Sequence, residues 1–195
     1  MTWLTNTTLS DDFVSLVPLD MSHHDDLVAA ATDGELWTLW YTTVPKPEHV
    51  AEEIERRLQC LRGGSMLPFT IIDQKSGKAV GMTTYMNVDS LNKRLEIGST
   101  WYRKSVQRTG MNTRCKMLLL SHAFETLDCI AVEFRTHILN AQSRKAIERL
   151  GAKMDGILRN HSRAENGTLR DTCVFSIIES EWPTVKAHLS HQIAR

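Results

Sequence analysis

The sequence predicts an α+β fold in which a mixed, mostly antiparallel central sheet is flanked by helices. The elements follow the order β-α-α-β-β-β-α-β-α-β-β, in which a run of strands precedes a β-α-β unit. The apolar fraction of 42% and the charged fraction of 24% are typical of globular proteins. No repeat or Pro/Gly/Ser-rich linker divides the 195 residues, so we expect one domain over 1–195, with its core at about 13–183 and a polar C-terminal tail at 184–195.

The N-terminal third predicts one strand and two helical regions. Residues 13–18 alternate as a short strand that Pro18 ends. Residues 23–40 favour one or two short helices, interrupted near Asp33-Gly34. A further helix is predicted over 47–62, because Pro47 suits a first helical turn and Gly63-Gly64 ends the pattern.

The middle of the chain predicts three consecutive strands, which cover 67–73, 78–88 and 94–102. In the third of them, Leu95, Ile97 and Trp101 lie on one side of the strand, and Arg94, Glu96 and Thr100 lie on the other. We expect the apolar side to face the core, which leaves Glu96 on the opposite face.

The C-terminal half predicts two helices and three strands. Two apolar stripes run along 110–127, so this helix should be buried on two sides. Residues 129–138 alternate as a strand, and Asn140 is a suitable N-cap for a helix that ends at Leu150. Two last strands are expected near 156–161 and 170–178, on either side of Asn166-Gly167.

Composition excludes several classes of protein. The longest apolar run is five residues, against the ~20 that a membrane helix needs. The first Lys or Arg is Lys46, so no charged region precedes an apolar secretory stretch, and we expect a cytoplasmic protein without a membrane partner. Four cysteines without a CxxC pair and eight histidines without HExxH spacing argue against a disulfide framework and a metal site.

The balance of 23 basic and 23 acidic residues conceals a strong asymmetry. Residues 1–45 contain seven acidic residues and no Lys or Arg, whereas 93–116 contain seven basic residues against Glu96 alone. Such a basic segment can concentrate an anionic ligand, although it can equally be a solvated face. Nucleic acid is not expected, because basic residues interleaved with aromatic ones along a face are lacking.

The segment from Gln107 to Thr113 joins a predicted strand to the strongest predicted helix. A glycine-containing loop at a helix start exposes backbone N–H groups, and the helix dipole adds positive potential, so a phosphate can bind there. The segment is neither GxxxxGK[ST] nor a dinucleotide fingerprint. The alternative is a helix start that needs Gly110 only for its turn.

These residues resemble the acetyl-CoA motif [QR]xxGx[GA] of the GCN5-related N-acetyltransferase family, in its RimJ/RimL-like branch. Residues 107–111 fit the motif, and Asn112 stands where the family has Gly or Ala. The resemblance extends over roughly 13–183. It includes the segments Asp33-Gly34-Glu35-Leu36-Trp37, Leu95-Glu96-Ile97-Gly98, Leu139-Asn140-Ala141-Gln142-Ser143, Ala146-Ile147-Glu148-Arg149-Leu150-Gly151-Ala152 and Arg170-Asp171-Thr172.

The resemblance implies an N-acetyltransferase that moves acetyl from acetyl-CoA, its co-substrate, to a primary amine. The acceptor is then a protein N-terminus or a small amine, and homodimers are common in the family. Two parallel strands, 94–102 and 129–138 here, should splay apart around the pantetheine arm. The alternatives are a non-catalytic acyl-CoA sensor or partner-binding module and, last, a nucleic-acid binder.

The resemblance also assigns roles to single residues. Glu96 becomes the candidate general base, and its alternative is an exposed strand residue paired with Arg94 or Arg135. Ser143 becomes the acid that protonates the thiolate, for which Tyr102 and Tyr85 are alternatives. Backbone N–H groups near Gly98–Thr100 should hold the thioester carbonyl.

The expected coenzyme contacts gather around the loop and the two helix starts. For Asn140 and Ser143 the alternative role is helix capping. Glu35 and Trp37 are expected to line the acceptor cleft, and the alternative is a packing role in which this region anchors the short helices on the sheet. For Trp40, that packing role is the expectation. The coenzyme-binding set is Thr100, Trp101, Gln107, Arg108, Thr109, Gly110, Met111, Asn112, Thr113 and Asn140.

Overall fold

The computed structural model describes residues 3–164 and 166–194. Eight strands form one sheet in the order β1-β2-β3-β4-β5-β6-β8-β7, which confirms the predicted α+β class. The strands are β1 Leu9–Ser10, β2 Val14–Pro18, β3 Met66–Asp73, β4 Lys78–Asp89, β5 Arg94–Tyr102, β6 Ala131–His137, β7 Lys153–Arg163 and β8 Leu169–Ile178. The helices are α1 His24–Thr32, α2 Val50–Arg62, α3 Met111–Ser121, α4 Ala141–Arg149 and α5 Trp182–Ile193.

One pair of neighbouring strands is parallel, and it opens. β5 and β6 pair only from Arg94–Glu96 to Ala131–Glu133, while every other neighbouring pair is antiparallel. Beyond Glu96 the two strands continue without pairing, to Tyr102 and to His137. The splay expected between the two parallel strands is therefore present, and it leaves backbone groups of β5 without a ladder partner.

The sheet has a separate apolar core on each face. On one face, side chains of α3, α4 and α5 pack against Leu95, Ile97 and other strand residues. On the other face, α1 and α2 pack against Ala79, Met82 and Trp101. Alternation along β5 therefore directs Glu96 away from the α3 core, as predicted.

The strongest predicted helix is shorter than its sequence pattern. It begins after Gly110, which has φ +88°, and its last turn over His122–Thr126 is π-helical. That turn closes with the Leu127 N–H donating to the His122 carbonyl, five residues back. The apolar stripe continues through a π turn as well as through an α turn, so periodicity alone does not distinguish them.

The expected polar tail is instead a helix. Residues 184–193 belong to α5, which packs against α3, and Val185 and Leu189 lie in the main core. Only two apolar side chains in this stretch face inward, so the polar outer face dominates its composition. Within the described ranges, no helix has both the length and the apolar character required to cross a bilayer.

We expect Leu189→Ala to destabilise the protein, because Leu189 is fully buried against the core. Removing a buried leucine side chain costs about 2–5 kcal/mol. Urea unfolding measures the loss, and His191→Ala, on the exposed side of the same helix, is the control. Equal unfolding midpoints for the two variants would contradict the packing of α5.

Candidate active site

A bulge in β5 lies where the two parallel strands separate. Thr84 pairs with Gly98 and Met82 with Trp101, so Ser99 and Thr100 together oppose Thr83. Ser99 has φ +48°, a left-handed conformation that a serine rarely adopts. The distortion expected near Gly98–Thr100 is therefore present, and it turns backbone groups out of the ladder.

Arg57 of α2 holds the bulge from one face of the sheet. Its guanidinium, 1% exposed, donates to Thr84 Oγ1 at 2.7 Å and to the Ser99 carbonyl at 3.0 Å. Its Nε pairs with Glu53 Oε1 at 2.7 Å, so the buried charge is compensated. Burial nevertheless lowers the pKa of Arg57. The result is a rigid connection between α2 and the strained residue.

Lys116 of α3 approaches the bulge from the opposite face. Its ammonium donates to Thr100 Oγ1 at 2.9 Å, and Thr100 Oγ1 also lies 2.8 Å from Thr83 Oγ1. In the described part of the chain, no carboxylate forms an ion pair with Lys116, although the side chain is buried. Burial lowers the pKa of Lys116 to about 8.

Glu96 lies three residues before Ser99 and is buried rather than exposed. Its Oε2 accepts from Asn87 Nδ2 at 2.7 Å and lies 3.5 Å from Arg135 Nε. Burial raises the pKa of Glu96, while Asn87 and Arg135 oppose the shift. A Cβ on Gly98 would lie 2.7 Å from Glu96 Oε1, so a larger residue there would displace the carboxylate. A buried carboxyl group with a raised pKa is suited to accept a proton near neutral pH.

The start of α3 offers backbone donors with no side chain across them. Gly110 has no side-chain cap, and the first helical hydrogen bond is from the Arg114 N–H to its carbonyl. The N–H groups of Met111, Asn112 and Thr113 therefore lack helical acceptors. A Cβ on Gly110 would meet nothing within 4 Å, so the protein leaves open space at the start of the helix. This geometry fits a phosphate group.

The polar side chains around this start are engaged within the protein. Gln107 donates to the Tyr102 carbonyl, Thr109 to the Val106 carbonyl, and Thr113 Oγ1 accepts from Arg149. Asn112 accepts from the Tyr102 hydroxyl at 3.1 Å, so its side chain is turned inward. The departure from Gly or Ala at this position therefore leaves the backbone approach open. Met111 is buried, and Arg108 is exposed.

A cleft of about 380 Å³ adjoins these donors. Its lining includes Thr109, Gly110 and Thr113 from the α3 start and Arg149 from α4. Arg114 also lines it, but its charge is compensated by Asp11 at 2.9 Å.

The basic segment 93–116 is largely neutralised by acidic residues from elsewhere in the chain. Two of the partners belong to the acidic N-terminal segment, so the two halves of the charge asymmetry meet each other. The pairs are Lys93–Asp128, Arg94–Glu133, Arg103–Asp33 and Arg114–Asp11. Lys104 and Arg108 form no ion pair with the residues described here, so the net charge of the segment overstates its local field.

Asn140 and Ser143 lie at the start of α4, after the open end of β6. Asn140 Oδ1 accepts from the Ser143 N–H at 3.0 Å, which is the capping role considered as the alternative. Ser143 is half-buried, and its hydroxyl has no protein partner among the described residues. No hydrogen bond links Ser143 to Glu96 in that part of the chain.

The other expected residues fall into different environments. Trp101 is buried against α1 and α2, on the face opposite Leu95 and Ile97, so its predicted side of β5 is wrong. The extra residue of the bulge at Ser99–Thr100 reverses the alternation beyond it, which also turns Thr100 toward Lys116 of α3. Tyr85 is buried and donates to the Leu119 carbonyl, and burial raises the pKa of both Tyr85 and Tyr102 well above the ordinary range. Both tyrosines are therefore poor acids for this site. Glu35 is exposed and Trp37 half-buried, each in or beside a short turn after α1.

Sequence reasoning missed three residues that shape the site, namely Arg57, Asn87 and Lys116. A lysine inside the apolar pattern of α3 was a signal that was available and unused. Arg57 also stands on the inward side of α2, four residues after Glu53. Neither pattern indicates that the two cations meet the same bulge.

Residues 14–153 match the family model described as an acetyltransferase (GNAT) domain. The chain is 31% identical over 106 residues to the putative ribosomal N-acetyltransferase YdaF of Bacillus subtilis. That alignment covers 54% of this chain and 57% of YdaF, so it spans less than two thirds of the relative.

Solved structures extend the similarity to nearly the whole chain. A GCN5-related N-acetyltransferase from Brucella melitensis has 28% identity and a TM-score of 0.88, over 97% of this chain and 86% of that one. Mycobacterium smegmatis RimJ, in complex with CoA-disulfide, has a TM-score of 0.79 at 21% identity, over 97% and 94% of the two chains. At that identity the likeness concerns the fold alone.

We expect Lys116→Met to change how stability depends on pH. The pKa of Lys116 is about 8 in the folded protein against 10.5 normally, so between these values the unfolded chain binds more protons. The free energy of unfolding of the native protein should therefore rise with pH across that window. Relative to the variant, the rise from pH 7.5 to 9.5 should be about 1–2 kcal/mol.

Urea unfolding at the two pH values measures this difference. Lys145→Met, on the exposed side of α4, is the control and should retain the slope of the native protein. An unaltered slope in Lys116→Met would show that the buried ammonium is compensated in the folded state.

Proposed function

The chain belongs to the GCN5-related N-acetyltransferase family, and we propose that it transfers acetyl from acetyl-CoA to a primary amine. The observation that supports this most strongly is the combination of a buried carboxylate, Glu96, with an unpaired and bulged strand edge three residues away. The two features belong to one strand at the mouth of the splay. They supply a proton acceptor and hydrogen-bond donors for one reaction.

Coenzyme binding is proposed at the start of α3 and along the splay. The N–H groups of Met111, Asn112 and Thr113 would hold the pyrophosphate, with Arg108 adding charge at its edge. The unpaired edge of β5, including Thr100, and Asn140 at the start of α4 would face the pantetheine. The coenzyme supplies the acetyl group as an activated thioester.

Glu96 is proposed to take one proton from the acceptor ammonium, so that the neutral amine can attack. The nitrogen–carbon bond then forms and the carbon–sulfur bond breaks. Backbone N–H groups at the Ser99–Thr100 bulge would stabilise the charge on the carbonyl oxygen, and the Ser143 hydroxyl would donate a proton to the departing thiolate. As the amide forms, its nitrogen loses its second proton to water, which returns a proton to Ser143, and Glu96 releases its own proton to solvent.

The acceptor is proposed to be a protein N-terminus or a small amine. The name of YdaF, a putative ribosomal N-acetyltransferase, supports the first kind of acceptor. The turn region after α1, which contains Glu35 and Trp37, is proposed to contribute to the wall of the acceptor cleft.

We expect Gly110→Ala to weaken binding of coenzyme A at least tenfold, because φ +88°, which the start of α3 requires at this position, is strained for alanine. Calorimetric titration with coenzyme A measures the affinity. Gly77→Ala is a matched control, since Gly77 has φ +68° and an equally open Cβ position in a distant turn. Equal affinities for the two variants would refute the proposed phosphate site.

We expect Glu96→Gln to lower kcat by about 100-fold or more while the affinity for coenzyme A stays within twofold. Thiol release, with N-terminal peptides and small amines as acceptors, measures turnover. The acidic limb of kcat/KM in the native enzyme should lie above the ordinary carboxyl range, because burial raises the pKa of Glu96. Activity should fall as Glu96 is protonated.

Glu133→Gln is the control, because Glu133 is the register partner of Glu96 on β6 and shares Arg135 with it. Its effect on kcat should stay below tenfold. A larger loss in Glu133→Gln than in Glu96→Gln would assign the base to β6. Tight coenzyme binding without thiol release for any amine would favour a sensor.

A further inference from the structure

A polar surface covers part of the sheet face opposite α3. Glu96 of β5 pairs in register with Glu133 of β6, and Arg135 and His137 follow on the same side of β6. His137 pairs in register with Thr172 of β8, whose hydroxyl accepts from Arg170 Nε at 3.1 Å. This polar face, defined by these six residues, extends from the proposed base to the far side of the splay.

Arg170 is the cation of the polar face that has no carboxylate partner among the described residues. Arg135, in contrast, pairs with Glu133 and Glu96. The neighbouring Asp171 pairs with Arg159 rather than with Arg170. Only Nε of the Arg170 guanidinium donates a hydrogen bond, to Thr172, among the described residues. Both terminal nitrogens therefore remain available to donate to a ligand. The side chain is half-buried, and burial lowers its pKa.

His137 contributes a second donor without a partner. Its Nδ1 accepts from the Leu139 N–H at 3.0 Å, so the proton of the neutral ring is on Nε2. His137 is only 4% exposed, and its Nε2 is buried without a hydrogen-bond partner among the described residues. Burial and the charge of Arg170 lower the pKa of His137, and Asp171 opposes the shift. His137 is therefore a neutral donor close to an unpaired guanidinium.

Two aromatic side chains from the connection between α1 and α2 close over His137. The Trp40 ring stands edge-on at 5.2 Å from the imidazole centroid, and the Tyr41 ring lies at 6.3 Å. Trp40 remains half exposed. Trp40 was expected to pack within the protein, and it packs against the polar ring of His137. The exposed surface of Trp40 is free to contact an apolar group of a ligand.

We infer that Arg170 and His137 form a subsite for a carboxylate carried by the acceptor amine. A guanidinium with two free terminal nitrogens matches a carboxylate in shape and charge, and the imidazole N–H adds a third donor. Half-buried positive charge without a partner is unfavourable, so an anionic ligand would compensate it. The inference rests on the proposed function, which places the amine at Glu96.

The acceptor would then be a short molecule or chain end with an amine and a carboxylate on the same side. Arg170 is close enough to Glu96 for each to shift the pKa of the other. This proximity fits either the α-carboxylate of a free amino acid or the side-chain carboxylate of an acidic N-terminal residue. Thr172 holds Arg170 Nε while lying 3.1 Å from His161 Nδ1, so the guanidinium is oriented before a ligand arrives.

The test compares matched acceptors by thiol release with acetyl-CoA. One pair is a free amino acid and its α-amide, and the other is a peptide that begins with Glu and one that begins with Gln. The native enzyme should prefer the carboxylate member of one pair at least tenfold in kcat/KM, and the preferred pair identifies the source of the carboxylate. In Arg170→Gln this preference should vanish, mainly because KM for the carboxylate acceptor rises. The kcat/KM for the amide acceptor should change less than threefold.

His137→Phe keeps the ring under Trp40 and removes the donor, so it should reduce the preference without abolishing it. Arg163→Gln, on the exposed part of the same hairpin, should leave both acceptors unchanged. A native enzyme that uses acid and amide equally, or an Arg170→Gln variant that keeps the preference, overturns the carboxylate subsite while the proposed transferase activity stands.

Binding without turnover separates the two proposals further. The same amino acids are titrated into protein saturated with coenzyme A, and calorimetry follows binding. Tenfold weaker binding to Arg170→Gln than to the native protein would support the subsite, even if the assay with acetyl-CoA shows no thiol release with any amine and so counts against the proposed catalysis. Equal binding of acid and amide to the native protein would refute the subsite directly.

Discussion

The bulge in β5 is the constraint on which the rest of the site depends. It holds Ser99 at φ +48°, a conformation that costs of order 1–3 kcal/mol unless the surroundings compensate it. Arg57 fixes the Ser99 carbonyl from one face and Lys116 fixes the Thr100 hydroxyl from the other. Both cations are buried, so the helices α2 and α3 cannot shift without breaking hydrogen bonds in a medium where water does not replace them. The separation of β5 from β6 is therefore a built feature of the sheet.

Ion pairs within the protein neutralise most of the arginines near the start of α3, so backbone N–H groups rather than side-chain charges would bind an anion there. Asp11 and Asp33, far away in the sequence, neutralise Arg114 and Arg103, and Glu133 neutralises Arg94. Much of the formal charge of segment 93–116 thus serves the fold. The attraction for an anion comes instead from N–H groups without helical acceptors and from the helix dipole, which act within the first turn. Such a site depends on the conformation of Gly110 more than on the number of neighbouring arginines.

Local patterns in the sequence were sufficient for the order of elements from β2 to β8, the cap at Asn140 and the loop before α3, but not for β1 and α5. Each of these depends on residues within a few positions of one another, so turn chemistry and periodicity carry the information. Arg57 reaches the bulge through Thr84 and Ser99, which lie 27 and 42 residues away, and Lys116 reaches it through Thr100, 16 residues away. The partner of Arg170 lies only two residues away, but it is reached only through the geometry of a strand. The helical nature of 184–193 was hidden for a related reason, since two inward side chains leave little apolar signal. Burial of Glu96 likewise follows from Asn87 and Arg135 closing over it, which strand alternation does not indicate.

One face of the sheet stabilises the fold, and the opposite face carries the charged residues of the proposed site. Against α3, β5 and β6 present Leu95, Ile97, Val132 and Phe134, whose burial stabilises the sheet. On the opposite face, the same strands carry a network of carboxylates and guanidiniums. Removal of one charged group from this network leaves another without its partner. Glu96 owes its raised pKa to this burial, while Arg135 limits the shift, so the strength of the base is set by the network around it. A ligand that brings negative charge to Arg170 would alter the same balance, because Arg170 and Glu96 act on each other's pKa. On this arrangement, acceptor recognition and base strength are coupled through one charged surface.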